Sequence, residues 1–128
     1  MILDSSAVAA IFLRRPGCDR LIDALAAAPH AGVGAPTLAE ASLEITVASG
    51  RDVHALLARF LQEFDLAIVP FSDLHYRAAV EAFRRYGKGR HAAALDFGDC
   101  LAYAVARLAH QPLLADDPGF KKTDLELA

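Results

Sequence analysis

Two spacings of apolar residues alternate along the chain. Short apolar groups, Ile2-Leu3, Ala31 to Ala35, Leu66 to Val69 and Leu113-Leu114, read as buried strands, and the segments between them repeat at helical spacing. Ile2-Leu3 runs into Asp4-Ser5-Ser6 and then Ala7 to Leu13, which predicts a strand, a serine N-cap and a helix, with Asp4 ending the strand. A second helix is expected through Leu21 to Ala27. Pro36-Thr37 opens a third that runs to about Ser49 and stops at Gly50. Val53, Leu56, Leu57, Phe60, Leu61 and Phe64 follow the i, i+3, i+4, i+7 pattern and mark an amphipathic helix. Ser72 caps another through Tyr86, with Tyr76, Ala79, Val80 and Phe83 on one face, and Gly87 and Gly89 end it in a basic loop expected to be mobile. The last helix covers Asp96 to Ala109, with an apolar stripe of Phe97, Leu101, Ala104, Val105 and Leu108, and Leu113-Leu114 leads to an acidic turn at Asp116-Asp117.

Strands alternating with helices predict an α/β fold with a parallel sheet covered on both faces. A chain of 128 residues suits one domain spanning 1–128. Hydrophobic residues make up 55% and the mean hydropathy is +0.29, yet the longest apolar run, Ala7 to Leu13, is far short of the ~18 residues that span a bilayer. With no basic segment and apolar stretch at the start to direct export, a cytoplasmic protein without a membrane partner is expected. Cys18 and Cys100 lack metal-ligand spacing and read as small buried thiols. The net charge of −3 provides no global field for nucleic acid, so any such contact is local. The dense basic segment is Arg84, Arg85, Lys88, Arg90 and His91, which serves equally well as a solvated helix end or as a ligand site.

The chemistry lies in the acids. Ligands of open parallel sheets bind outside the carboxyl ends of the strands, and Asp4, Glu40 and Asp116/Asp117 fall there, with Asp99 joining from the first turn of its helix. Each has an ordinary explanation as well. Thr37-Leu-Ala-Glu40 matches a capping box, Asp96 suits an N-cap, and Asp116-Asp117 before Pro118-Gly119 is common turn chemistry. Asp4, directly ending an apolar strand, has no such explanation. Asp96 and Asp99 are about 60° apart on a helix and can converge on one site. Gathered carboxylates repel and raise one another's pKa unless a cation neutralises them, and oxygen ligands without His or Cys select Mg²⁺ or Mn²⁺. Such an ion activates water and stabilises in-line phosphodiester displacement. A Mg²⁺-dependent phosphatase-like domain, which would need a second acid beside Asp4, and a non-catalytic RNA- or protein-binding module are the alternatives.

Met1-Ile-Leu-Asp4-Ser-Ser, the Glu40 helix, "YGKGRHAAALDFGDCLAYAVA" and "QPLLADDPGFKKTDL" together resemble the PIN domain, and specifically the VapC-type toxins of bacterial toxin–antitoxin pairs. The resemblance covers nearly the whole chain and is most specific from Gly87 to Tyr103. It implies a single three-layer α/β/α domain and a Mg²⁺-dependent endoribonuclease that forms a homodimer and is inhibited by a cognate antitoxin. Asp4, Glu40 and Asp99 match the first three acids of the family. Asp4 and Asp99, helped by Asp96, are then expected to hold metal, and Ser5, Arg90 and His91 to contact RNA. The chain departs from the pattern in two places. Asp96 stands where relatives often carry Asn, and Ala-Asp-Asp-Pro-Gly-Phe stands where they often carry a Gly-Asp-Asp-Phe type ending. For the fourth acid, Asp117 has the expected spacing of three residues before Phe120, and Asp116 should point the opposite way.

Overall fold

The computed structural model describes residues 1–128. Its strands are β1 (Ile2–Leu3), β2 (Ala31–Gly34), β3 (Leu66–Val69) and β4 (Leu113–Leu114). All pair in parallel, in the order β3-β2-β1-β4. The helices are α1 (Ser5–Phe12), α2 (Cys18–Ala27), α3 (Ala35–Ser49), α4 (His54–Glu63), α5 (Asp73–Tyr86) and α6 (Phe97–Ala109), and a 3-10 turn covers Pro118–Lys122.

Alternate strand residues feed two cores, which makes three layers. Leu3, Val33, Leu66 and Leu114 pack with α1 to α4 on one face. Ile2 and Leu113 pack with α5, α6 and Phe120 on the other. Burial on both faces explains why β1 and β4 read as plain apolar groups, whereas β3, at the sheet edge, buries Leu66 and exposes Ala67 and Ile68. Both cysteines are buried free thiols, as expected. No helix is long and apolar enough to cross a membrane.

Several local expectations change. Helix α1 starts earlier than expected, and Asp4 itself, not a serine, is its N-cap. Helix α3 is capped at Gly34, which moves Thr37 inside the first turn and removes the capping-box explanation of Glu40. Of the expected α5 stripe only Ala79 is buried: Tyr76, Val80 and Phe83 are exposed, and Ala82 and Tyr86 complete the buried face. Phe97 is 78% exposed although it heads the expected α6 stripe. Small residues explain this, since Ala102, Ala104 and Ala106 let α6 bury most of its circumference between the sheet and α5.

The Gly87 to Leu95 loop is held by its own hydrogen bonds. Leu95 N–H donates to Tyr86 O at 2.9 Å, Lys88 N–H to Leu95 O at 2.9 Å, and Arg90 and His91 N–H to Gly87 O at 2.9 and 3.1 Å. Pairing of this kind is not visible in a glycine count.

Candidate active site: acids at the carboxyl end of the sheet

The end of β1 carries the first acid. Asp4 N–H donates to Leu114 O at 2.9 Å, so the residue sits between the ends of β1 and β4 and is only 1% exposed. Its Oδ2 accepts from Ser6 N–H at 3.1 Å and from the Ser6 hydroxyl at 2.6 Å. Its Oδ1 is buried with no hydrogen-bond partner. Leaving a carboxylate oxygen dry and unpaired is costly, and burial is the main cause that pushes the Asp4 pKa up to about 6, with the Glu40 charge adding to it.

Asp99 faces the same space from the N-terminus of α6. Asp96 is the N-cap: its Oδ1 accepts from Asp99 N–H at 2.8 Å, and Asp99 Oδ2 accepts from Asp96 N–H at 2.9 Å. This reciprocal pair fixes Asp99 and occupies one oxygen of each residue. Burial first, and then the charges of Asp96, Asp4 and Asp117, raise the Asp99 pKa to about 7. No cation answers these acids: the influences that raise Asp99 are burial and other carboxylates.

Glu40 reaches the group from α3. The Ser5 hydroxyl donates to its Oε1, and its carboxylate fills the space that a side chain at Gly98 would need. Ser5, expected on the substrate, is instead a partner of Glu40. Asp117 caps the 3-10 turn by accepting from Gly119 N–H at 2.7 Å, and its charge is felt at Asp99. Asp116 turns away, with Oδ1 3.6 Å from the Arg20 guanidinium. The two neighbouring acids thus diverge as the extended-chain argument expects.

Arg90 and His91 lie on the loop before α6. The Arg90 guanidinium lies over the Phe83 ring, 5.5 Å from its centroid, rather than on an acid. His91 Nδ1 accepts from Ala93 N–H at 3.0 Å and the ring meets Tyr86 edge-on, which leaves Nε2 for an outside partner. The loop is braced from below, where Lys122 Nζ donates to Ala92 O at 3.5 Å.

Sequence reasoning missed two residues. The Ser6 hydroxyl donates to Asp4 and accepts from Asp116 N–H at 2.9 Å, tying together the two strand ends that carry acids. Gly98 gives Glu40 its room. A glycine in the first turn of a helix, between two acids, was a signal, because glycine is a poor helix former.

A divalent ion fits this arrangement. The donors are all carboxylates, the Asp4 Oδ1 lacks any other partner, and burial first and neighbouring carboxylates second hold Asp4 and Asp99 above the usual carboxylate range. No three His, Cys, Asp or Glu side chains are placed to hold an ion by themselves, so water or a substrate phosphate would have to complete its coordination.

The PIN domain family profile matches residues 1–126. A VapC ribonuclease of Mycobacterium bovis and ribonuclease VapC36 of Mycobacterium tuberculosis are each 45% identical over 127 residues, covering 98% of this chain and 91% of theirs. Among solved structures, VapC20 of Mycobacterium tuberculosis, described as a sarcin-ricin loop cleaving toxin, superposes with a TM-score of 0.79 at 17% identity, over 99% of this chain and 97% of that one. A toxin–antitoxin complex from Klebsiella pneumoniae gives a TM-score of 0.63 at 18% identity, over 92% of each chain. The three-layer fold, the acids at the strand ends and nearly full-length identity to VapC proteins agree, and the chain belongs to the PIN-domain family, within its VapC group.

Proposed function

We propose that this chain is a divalent-metal-dependent endoribonuclease, the toxin of a bacterial toxin–antitoxin pair, acting in the cytoplasm on an RNA phosphodiester. The observation that carries the reading is the buried, unpartnered Oδ1 of Asp4, set against an Asp99 whose neighbours are other acids. Relatives at 45% identity are named as ribonucleases, which supports the reaction class.

Asp4 and Asp99 hold Mg²⁺ or Mn²⁺, and Asp96 fixes the direction of Asp99 through the cap and adds charge. The ion supplies an activated water and charge stabilisation for the in-line displacement. Glu40, steadied by Ser5, would serve as the base for the attacking water, and Asp117 adds negative charge at Asp99. Arg90 and His91 grip phosphates next to the scissile one, from a loop held by its own backbone hydrogen bonds.

The cognate antitoxin inhibits by setting a cation, most simply an Arg, against Asp4 and Asp99, where bidentate pairing to a carboxylate is strongest. Homodimer formation is part of the proposal. It is supported by the exposed side chains of Tyr76, Val80, Phe83 and Phe97, which line one apolar groove. The test is cleavage of RNA by protein stripped with EDTA and reloaded. Activity should vanish with chelator and return with Mg²⁺ or Mn²⁺, and full activity in chelator would contradict the reading.

A further inference from the structure

Gly98 does not owe its identity to backbone conformation. It lies in the first turn of α6, outside the left-handed region that favours glycine, and glycine is a poorer helix former than alanine. What it provides is room. A Cβ at Gly98 would lie 2.6 Å from both Cδ and Oε1 of Glu40, and closer still to Oε2. The same Oε1 accepts the Ser5 hydroxyl. Glu40 reaches this point from α3, and its charge is felt at Asp4, while Gly98 is followed directly by Asp99.

We infer that Gly98 is a positioning residue for the proposed hydrolysis: the bare Cα is the seat on which the Glu40 carboxylate rests, with Ser5 clamping it from the other side. The inference rests on the ribonuclease reading. The three atoms nearest to a new methyl all belong to the far end of one flexible side chain, Glu40. Alanine therefore leaves the fold intact, swings the Glu40 carboxylate off its seat and costs it the Ser5 bond. The α6 backbone, the Asp96–Asp99 cap and Asp4 stay in place. The variant should be folded, at least as stable as the wild type, and slow. A glycine that served only helix packing would give the opposite result, with lost stability and little lost rate.

The experiment is a double-mutant cycle of Gly98→Ala with Glu40→Ala, read both as steady-state cleavage in Mg²⁺ and as the Tm of the metal-free protein. Gly98→Ala alone should cleave about 10- to 100-fold more slowly through kcat with KM little changed, the scale on which supporting partners of a metal site act. In the Glu40→Ala background it should slow the rate no further, and it should raise Tm by more than it does in the wild type, because the collision is gone. Glu40→Asp, which withdraws the carboxylate by one methylene, should restore part of the rate lost in Gly98→Ala. Wild-type protein that cleaves no RNA overturns the ribonuclease reading. An active wild type whose Gly98→Ala variant matches it, or whose Gly98 and Glu40 effects simply add in rate and Tm, overturns the positioning role alone.

Discussion

Asp99 and Asp124 contact opposite ends of α6, and the fold treats them in opposite ways. Asp124 accepts from the Tyr103 hydroxyl at 2.7 Å and lies 3.4 and 3.8 Å from the guanidinium groups of Arg85 and Arg107. Burial works upward on its carboxyl, but the Tyr103 hydrogen bond and the two arginines outweigh it and hold the pKa below the usual carboxylate range. Asp99 has no such company: burial and three neighbouring acids raise it to about 7. One acid has its cations supplied by the chain, and the other has only carboxylates among the charges that act on it. A structural acid is recognised by its partners, and a functional acid by their absence in a place where absence is costly.

The sharpest way to break this contrast is to neutralise each acid. Asp99→Asn or Asp4→Asn should abolish metal-dependent cleavage while leaving the metal-free protein as stable or more so, since asparagine keeps each cap and removes a repelled charge. Asp124→Asn should keep the activity and lose about 1 kcal/mol of stability, because it weakens charge-assisted bonds near the surface. Equal losses of stability for Asp99→Asn and Asp124→Asn would erase the distinction.

The contrast also has a pH dependence. Asp4 and Asp99 carry folded pKa values of about 6 and about 7, above the ordinary carboxylate range, so the folded metal-free protein holds protons that the unfolded chain releases. Their contribution is full below about pH 4 and is lost as pH rises through 6 and 7, amounting to on the order of 2–3 kcal/mol for the more buried Asp4. Thermal melts from pH 5 to 8 should show stability falling in the metal-free wild type, a shallower fall in Asp4→Asn, and little change when Mg²⁺ is present. A metal-free profile that rises over this window would contradict the assignment.

Finer tests concern the rim of the site. Asp117→Asn should lower activity several-fold, less than Asp4→Asn, and Asp116→Asn should be nearly silent because that side chain faces Arg20. The reverse order in metal-titrated cleavage would show that Asp116 is the working acid. Arg90→Ala should weaken RNA binding and flatten its salt dependence by about one counterion's worth of slope. Unchanged binding and slope would leave Arg90 as a surface cation stacked on Phe83.

The parallel α/β order was legible because each strand is a short apolar group, buried on both faces in β1 and β4, and Asp4 stood out by directly following one. Glu40 was ambiguous in sequence, since Thr37 and Glu40 have the spacing of a capping box, and only the actual start of α3 at Ala35 removes that explanation. The α5 stripe misled for a related reason. Periodicity finds an apolar face but not what covers it, and Tyr76, Val80 and Phe83 line an open groove beside Phe97. Ser6 and Gly98 act through residues far away in the chain, Asp116 and Glu40, so local pattern could not assign them.

The central claim, that the carboxyl end of the sheet lacks a cation which the other end of α6 already has, is tested most directly by calorimetric titration of Mn²⁺ into metal-free wild type, Asp4→Asn, Asp99→Asn and Asp124→Asn at one pH. The account expects saturable binding in the wild type and in Asp124→Asn, and its loss in Asp4→Asn and Asp99→Asn. Binding that survives in both of those variants, or that disappears in Asp124→Asn alone, would contradict it.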